Sequence, residues 1–203
     1  MLKIQTLALG NYQTNCYILR EETANTCALI DPGCDAGYVL ETVARQDLTV
    51  EAILLTHGHF DHVGAVAEIT EKTGCELWMH PGDHQPQNGY MAGFFYPLSN
   101  RKLLNVRYCD EGDTIAVAGL TISVLATPGH TEGSVCYECE DALFTGDTLF
   151  AGSCGRTDLP GGSHKVIQAS LARLANLEKN YAVYPGHGES SDLATEKRSN
   201  PYL

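Results

Sequence analysis

Three histidines and an aspartate stand within six positions of this chain, in the run Thr56-His57-Gly58-His59-Phe60-Asp61-His62. Imidazole and carboxylate suit Zn²⁺, Mn²⁺ and iron, and no thiolate stands beside them to call for a softer metal. Three further residues of these types occur alone, each in a glycine-containing turn: His130 in Pro128-Gly129-His130, Asp147 in Gly146-Asp147-Thr148, and His187 in Pro185-Gly186-His187-Gly188. A catalytic metal needs three protein ligands and an open position for water, so seven are too many for one ion. They fit two ions. The expected allocation is His57, His59 and His130 on the first, Asp61, His62 and His187 on the second, and Asp147 between them. The expected cofactors are two divalent metal ions, zinc first, with iron or manganese as the others this donor set accepts. Ions about 3.5–4 Å apart can share a hydroxide, because coordination lowers the pKa of water from near 15.7 towards 7. That hydroxide is the expected nucleophile, with the ions stabilising the oxyanion that develops on a carbonyl. Asp61, if it touches both metal and water, could accept the proton. The chemistry is that of a metallohydrolase; metal binding without catalysis is the plainer alternative.

The elements that must position these groups follow from the hydrophobic pattern. Strands are expected at Leu2–Leu9, 16–20 and 27–30, the last closed by Asp31-Pro32-Gly33, and consecutive strands suggest antiparallel pairing. Helices are expected at 38–46, at 63–73 ending at Gly74, at 166–177 with Ile167, Leu171 and Leu174 on one face, and at Leu193–Ser199. Short buried strands are expected at 52–55, Glu76–Met79, 120–125, 142–145 and 182–184. Four of these (52–55, 120–125, 142–145 and 182–184) run straight into a glycine-containing turn that carries a His or an Asp. Turns at strand ends are where rigid scaffolds hold functional groups. If the four ends share one edge of a sandwich, all seven ligand-type residues converge there. Residues 81–107 fit neither period, and Tyr90, Phe94, Phe95 and Tyr96 within them suggest an aromatic loop or lid, or a packed irregular segment. His80, His84 and His164 are read as structural residues that stiffen the rim or support the ligands.

Composition narrows the partners. With 203 residues, 43% hydrophobic and 19% charged, the chain has enough apolar surface for a core, which excludes disorder. No apolar run reaches the roughly 20 residues of a membrane helix, and the start shows no basic, apolar leader. Thirteen Lys and Arg against 25 Asp and Glu give a charge of −12, which repels phosphate backbones. Clusters such as Lys197-Arg198 and Arg101-Lys102 are too short to overcome it, so nucleic acid is not an expected partner. The eight cysteines are read as reduced cytoplasmic thiols. Cys136 and Cys139 spell CxxC, but on a strand residues three apart face opposite sides, so no metal or redox role is assigned to them. A monomer or small homo-oligomer is expected.

Residues 57–62 resemble the HxHxDH signature of the metallo-β-lactamase superfamily, and His130, Asp147 and His187 follow in the family's order. The resemblance implies an α/β fold, a four-layer αββα sandwich with the metals along one edge, formed as a single domain over residues 1–203. β-Lactamases of this fold generally lack the bridging aspartate present here as Asp147, and flavodiiron oxygen reductases have Glu where this chain has His59. The stretches 144–150, 155–162 and 196–203 are similar to the glyoxalase II (hydroxyacylglutathione hydrolase) group, in particular its short bacterial form. That implies hydrolysis of a small acyl thioester, S-lactoylglutathione first. Larger members grip glutathione with a C-terminal helical domain, which is not expected in residues 1–203.

Arg156 stands where those enzymes place a basic substrate-binding residue, and Asp158 near where they use tyrosine. Arg156 either pairs bidentately with a substrate carboxylate or pairs with Asp158 and stiffens the loop. A rival on the same fold is an iron-dependent persulfide dioxygenase, which also has a Gly-Arg-Thr-Asp run. It holds one iron through residues matching His57, His130 and Asp147, though the Pro185–Gly188 turn looks more like the hydrolases.

Overall fold

The computed structural model describes residues 1–84 and 103–203. Tyr90, Phe94, Phe95 and Tyr96, read above as an aromatic loop or lid, lie outside the described residues. The first sheet orders β1 (Leu2–Leu9), β2 (Thr14–Glu21), β3 (Thr26–Ile30), β4 (Thr49–Leu54), β5 (Glu76–Met79) and β6 (Val106–Tyr108) side by side. The first three pair antiparallel, as consecutive strands should, and β3 to β6 pair in parallel. Between the parallel strands run α1 (Ala36–Ala44), α2 (Phe60–Val63) and α3 (Val66–Thr73).

The second sheet contains β7 (Thr114–Val117), β8 (Leu120–Ala126), β9 (Val135–Cys139), β10 (Ala142–Gly146), β13 (Ala182–Pro185) and β14 (Ser191–Asp192), in the order β14-β13-β10-β9-β8-β7. Beside it lie a small hairpin, β11 (Leu149–Phe150) with β12 (Ser153–Cys154), and the helices α4 (His164–Ala175) and α5 (Leu193–Ser199).

Three apolar layers separate four layers of structure. Tyr17, Leu19, Ile30 and Leu54 of the first sheet meet Ile122, Val124, Tyr137 and Phe144 of the second. Leu29 and Ile53 face the other way, against Val39 of α1 and Val66 and Ile69 of α3. Leu143 and Val183 pack on Ile167, Leu171 and Leu174 of α4 and Leu193 of α5. Strands such as β3 and β10 are covered on both faces and therefore read as unbroken apolar runs rather than as alternation. Cys136 faces α4 and Cys139 faces the central layer, so the CxxC pair lies on opposite sides of its sheet. All eight cysteines are free thiols. Among the described residues no helix is long and apolar enough to cross a membrane.

The segment expected as one helix over 63–73 is two. The backbone N–H of Ala65 donates to the carbonyl of Pro32 rather than to one four residues back, which breaks the run between α2 and α3. In consequence Asp61 and His62 sit inside a helical turn. α1 begins two residues before the expected 38, because Asp35 accepts from the N–H of Tyr38 as a cap, and Ser163 caps α4 in the same way.

Candidate metal centre

Strands β3, β4, β8, β10 and β13 all end at one edge of the sandwich, and each is followed by a turn bearing a polar side chain. Backbone bonds tie this edge together, both across the two sheets and within the second one. Val135 N–H donates to Thr56, Asn15 N–H to Gly186, and Gly186 N–H to Gly146. Asn15 and Tyr17 also donate their side chains to the Pro185 carbonyl. Gly186 allows the close approach: a Cβ there would stand 2.2 Å from Asp147 Oδ1 and 2.7 Å from His62 Cε1.

All seven residues singled out above come together here. Four of the five imidazoles are anchored by Nδ1. His62 Nδ1 donates to Asp31 Oδ2 at 2.9 Å, His130 Nδ1 to the Arg156 carbonyl at 2.8 Å, and His187 Nδ1 to the Tyr12 carbonyl at 3.1 Å. Thr56 gives its own hydroxyl proton to Asp31 at 2.6 Å and so accepts from His57 Nδ1 at 3.1 Å. With Nδ1 donating outward, each ring turns Nε2 toward the centre, the nitrogen that serves as a metal ligand once it carries no proton.

Donor atoms of His57, His59 and His130 lie within 4.8 Å of one another, and so do those of Asp61, His62 and His187. His59 Nδ1 stands 2.8 Å from His130 Nε2, and Asp61 Oδ2 stands 3.3 Å from His187 Nε2. Asp147 reaches both groups: Oδ1 is 3.4 Å from His62 Nε2, and Oδ2 is 3.5 Å from His130 Nε2 and 3.6 Å from His187 Nε2. His57 Nε2 and Asp147 Oδ1 are buried with no hydrogen-bond partner among the described residues. Burying such acceptors unsatisfied is costly, and a divalent cation offsets that cost. The donor set fits one.

Electrostatics divides the cluster. Burial, then the neighbouring imidazoles, push His57 well below its usual value and His59 down to about 3. Burial opposes the charge on His62 too, yet Asp147, Asp31 and Asp61 outweigh it and raise His62 to about 9. His187 is raised for the same reason, through its hydrogen bond to Asp61 and the charge of Asp147. Asp61 is held down at about 2, the His187 hydrogen bond and His62 overcoming its burial.

Two buried carboxylates were not among the expected site residues. Asp31, 1% exposed, accepts from Thr56 N–H, Thr56 Oγ1 and His62 Nδ1. It also lies within ligand distance of His57 and His62, but its oxygens are taken up by these bonds, so it acts as an orienter. Its signal was present: Asp31-Pro32-Gly33 ends a short buried strand in a glycine turn, the context of the other ligands. Asp83 accepts from Gly58 N–H and Thr131 Oγ1 through Oδ2 and from Gly133 N–H through Oδ1. It clips the His57–His59 loop to the His130 loop, and nothing in local spacing announces it. His80 accepts from Gly82 N–H and approaches Asp110, and His84 meets the Tyr108 hydroxyl, so both serve the rim.

Above the donors opens a cleft of about 560 Å³. Tyr12, Phe60, Phe150 and Leu159 form its apolar side, and Ser153, Cys154 and Arg156 complete the wall. Arg156 is paired bidentately with Asp158, both bonds at 2.7 Å and both side chains exposed.

A sandwich of this topology, with His and Asp donors gathered at one edge, defines a class, and the chain belongs to it: the metallo-β-lactamase superfamily matches residues 9–187. Within that class, the hydroxyacylglutathione hydrolase GloC of Haemophilus influenzae is 32% identical over 100% of this chain and 98% of its own length. Among solved structures, the BLEG-1 B3 metallo-β-lactamase superposes with a TM-score of 0.85 at 33% identity, covering 100% of this chain and 99% of that one. The di-iron-bound form of TTHA1623 gives 0.83 at 37% identity, covering 98% and 100%. ETHE1 from Myxococcus xanthus gives 0.80 at 31% identity, covering 98% and 83%. Fold, donor groups and relatives together define a metal-binding hydrolase of this superfamily.

Proposed function

We propose that this protein is a dinuclear metallohydrolase that cleaves a small acyl thioester, S-lactoylglutathione first among them. The observation that carries the reading is the inward-turned Nε2 set, with Asp147 within 3.6 Å of donors from both groups. His57, His59 and His130 would hold one ion, Asp61, His62 and His187 the other, and Asp147 would touch both. Two divalent ions so held, zinc or iron, activate a water and polarise a carbonyl.

The chain's own residues do the rest. Asp61, ionised and partly open to the cleft, is placed to take a proton from the attacking water. Asp31 and the Arg156 carbonyl hold His62 and His130 in the required tautomer. Tyr12, Phe60, Phe150 and Leu159 shield the reacting carbonyl from bulk water and receive the organic parts of the substrate. An exposed ion pair is weak, so a substrate carboxylate can exchange with Asp158 for Arg156.

The similarity to hydroxyacylglutathione hydrolase GloC supports the thioester reading. The similarity to ETHE1 favours a second one, a single-iron persulfide dioxygenase, which leaves the assembled Asp61, His62 and His187 group without a task. The deciding experiment is turnover of S-D-lactoylglutathione and simpler acyl thioesters by metal-analysed protein, with a β-lactam and glutathione persulfide under oxygen as parallel arms. Hydrolysis of any thioester supports the mechanism, and hydrolysis of the glutathione ester supports the substrate. Full metal occupancy with no thioester cleavage, or oxygen uptake alone, overturns it.

A further inference from the structure

The hairpin that forms one wall of the cleft is very small. β11 and β12 contribute two residue pairs, Leu149 with Cys154 and Phe150 with Ser153, joined through Ala151 and Gly152. Gly152 takes φ +67°, the left-handed conformation such a turn demands. Two pairs do not hold a hairpin in one place, since even longer isolated hairpins are marginal in water. Yet Phe150, Ser153 and Cys154 all line the cleft, and the Phe150 ring lies edge-on to His187 with centroids 6.3 Å apart.

Leu149 anchors the first strand in the core, with Thr145 Oγ1 donating to its carbonyl at 2.7 Å, and the turn beyond it is held from the end of the chain. Glu196 on α5 and Asn200 just after it are 2% and 5% exposed. Glu196 Oε2 accepts from Gly152 N–H at 2.8 Å, and Oε1 accepts from Ser191 Oγ. Asn200 Nδ2 faces three acceptors: the carbonyls of Phe150 at 3.2 Å and Ser153 at 3.0 Å, and Glu196 Oε2 at 2.8 Å. The two side chains thus add an acceptor and a donor to the hairpin's backbone from outside its own ladder. They belong to the 196–203 stretch, which the chemistry at the metals does not use.

We propose that Glu196 and Asn200 are positioning residues for substrate selection: they clamp the backbone of residues 150–153 and so set the wall against which the thiol portion of the substrate rests. The proposal rests on the thioesterase reading only for the identity of the occupant, not for the clamp itself. A neutral amide is required at 200, because a carboxylate there would face three acceptors with no proton to give. At 196 an acceptor suffices. Glutamine keeps an oxygen for Gly152 and Asn200, and its amide can donate to Ser191 Oγ, whose hydroxyl rotates freely.

The test uses metal-loaded protein in a Cys34→Ser background, where Cys154 is the one cysteine left that is not buried. Asn200→Asp and Glu196→Ala should raise the rate of Cys154 alkylation by N-ethylmaleimide about tenfold, as local opening exposes the hairpin, while Glu196→Gln stays near the parent. In the same variants the KM for a thioester with a large thiol portion should rise about fivefold, with kcat and the KM of a small one little changed. Metal content should hold. Asn200→Ser serves the same purpose if Asn200→Asp does not fold. Unchanged alkylation in both breaking variants overturns the clamp, whatever the thioesters do. Faster alkylation with large and small substrates affected alike overturns the role in selection. Absence of any thioester turnover speaks against the function proposed above, and alkylation then still decides the clamp.

Discussion

The two halves of the donor cluster are built differently. His57, His59 and His130 are imidazoles only, between 2% and 4% exposed, and His57 and His59 are kept uncharged by burial and by one another. The Asp61, His62 and His187 half mixes carboxylate with imidazole, and the side chains of Asp61 and His187 are 15% and 27% exposed. There the carboxylates hold protons on His62 and His187 that burial alone would remove. One half is a closed pocket in which His57 and His59 present uncharged nitrogens to a cation. The other is a more open, charged one in which a cation must first displace protons, and both halves border the cleft, through His59 and His130 on one side and Asp61 and His187 on the other. Asp147 is the residue the halves share.

The sharpest way to break that comparison is Asp147→Ala, which should lower metal content and rate together by more than about 100-fold, the range that changes to outer-shell partners already reach. Full occupancy of both positions in that variant, measured by metal analysis after dialysis, would overturn the shared role. Next comes Asp31→Asn, which keeps the shape but replaces an acceptor of three hydrogen bonds by an amide. Affinity for the ion that His62 would hold, whose ring Asp31 bonds directly, should fall about 10–100-fold, the ion on His57, reached only through Thr56, staying closer to its parent value, as competition with a graded chelator would show. Equal loss of both would mean that Asp31 supports the edge as a whole.

Acidity separates the halves without mutation. His62 titrates near 9, so from pH 8 to pH 5 it carries a proton that must leave when metal binds, whereas His59, near 3, stays neutral throughout. Affinity of the open half should therefore fall by up to about tenfold per pH unit for each proton displaced, more steeply than that of the closed half, where His57 and His59 carry no proton to displace. Stepwise dialysis at falling pH should release one ion before the other, and simultaneous release would contradict the division. The smallest effect is expected from Arg156→Ala. Its pair with Asp158 is fully solvent-exposed, so metal content should be unchanged and KM should rise only about two- to threefold. A loss of kcat there would place Arg156 nearer the reacting atoms than this pairing implies.

Much of this centre was legible along the chain, because ligand chemistry belongs to residue types and strand ends carry their own punctuation. The turns after β4, β8, β10 and β13 each combine a short apolar run, a glycine and a His or Asp, all local features. Asp31 meets the same description, but Asp31-Pro32-Gly33 also reads as a simple strand terminator, so its spacing does not separate the two roles. Asp83 could not be found that way, since its partners Gly58, Thr131 and Gly133 are 25 to 50 positions distant. The break between α2 and α3 was hidden for a related reason: the helical spacing continues through it, and the carbonyl of Pro32 that captures Ala65 is remote in the chain. For Arg156 the sequence held two partners open, and the conformation of the loop shows it on Asp158.

The donor types, their number and the strand-end turns that carry them were determined by the sequence alone, because chemical identity and hydrophobic period are properties of neighbouring residues. Which donors come within 4.8 Å of one another, and which carboxylate or carbonyl turns each imidazole inward, was decided only by the packing of two sheets across a common core. Those relations join residues as far apart as 31 and 62, 130 and 156, or 152 and 196. Hydrogen bonds act over about 3 Å, so only a tertiary structure that closes those separations can assign them.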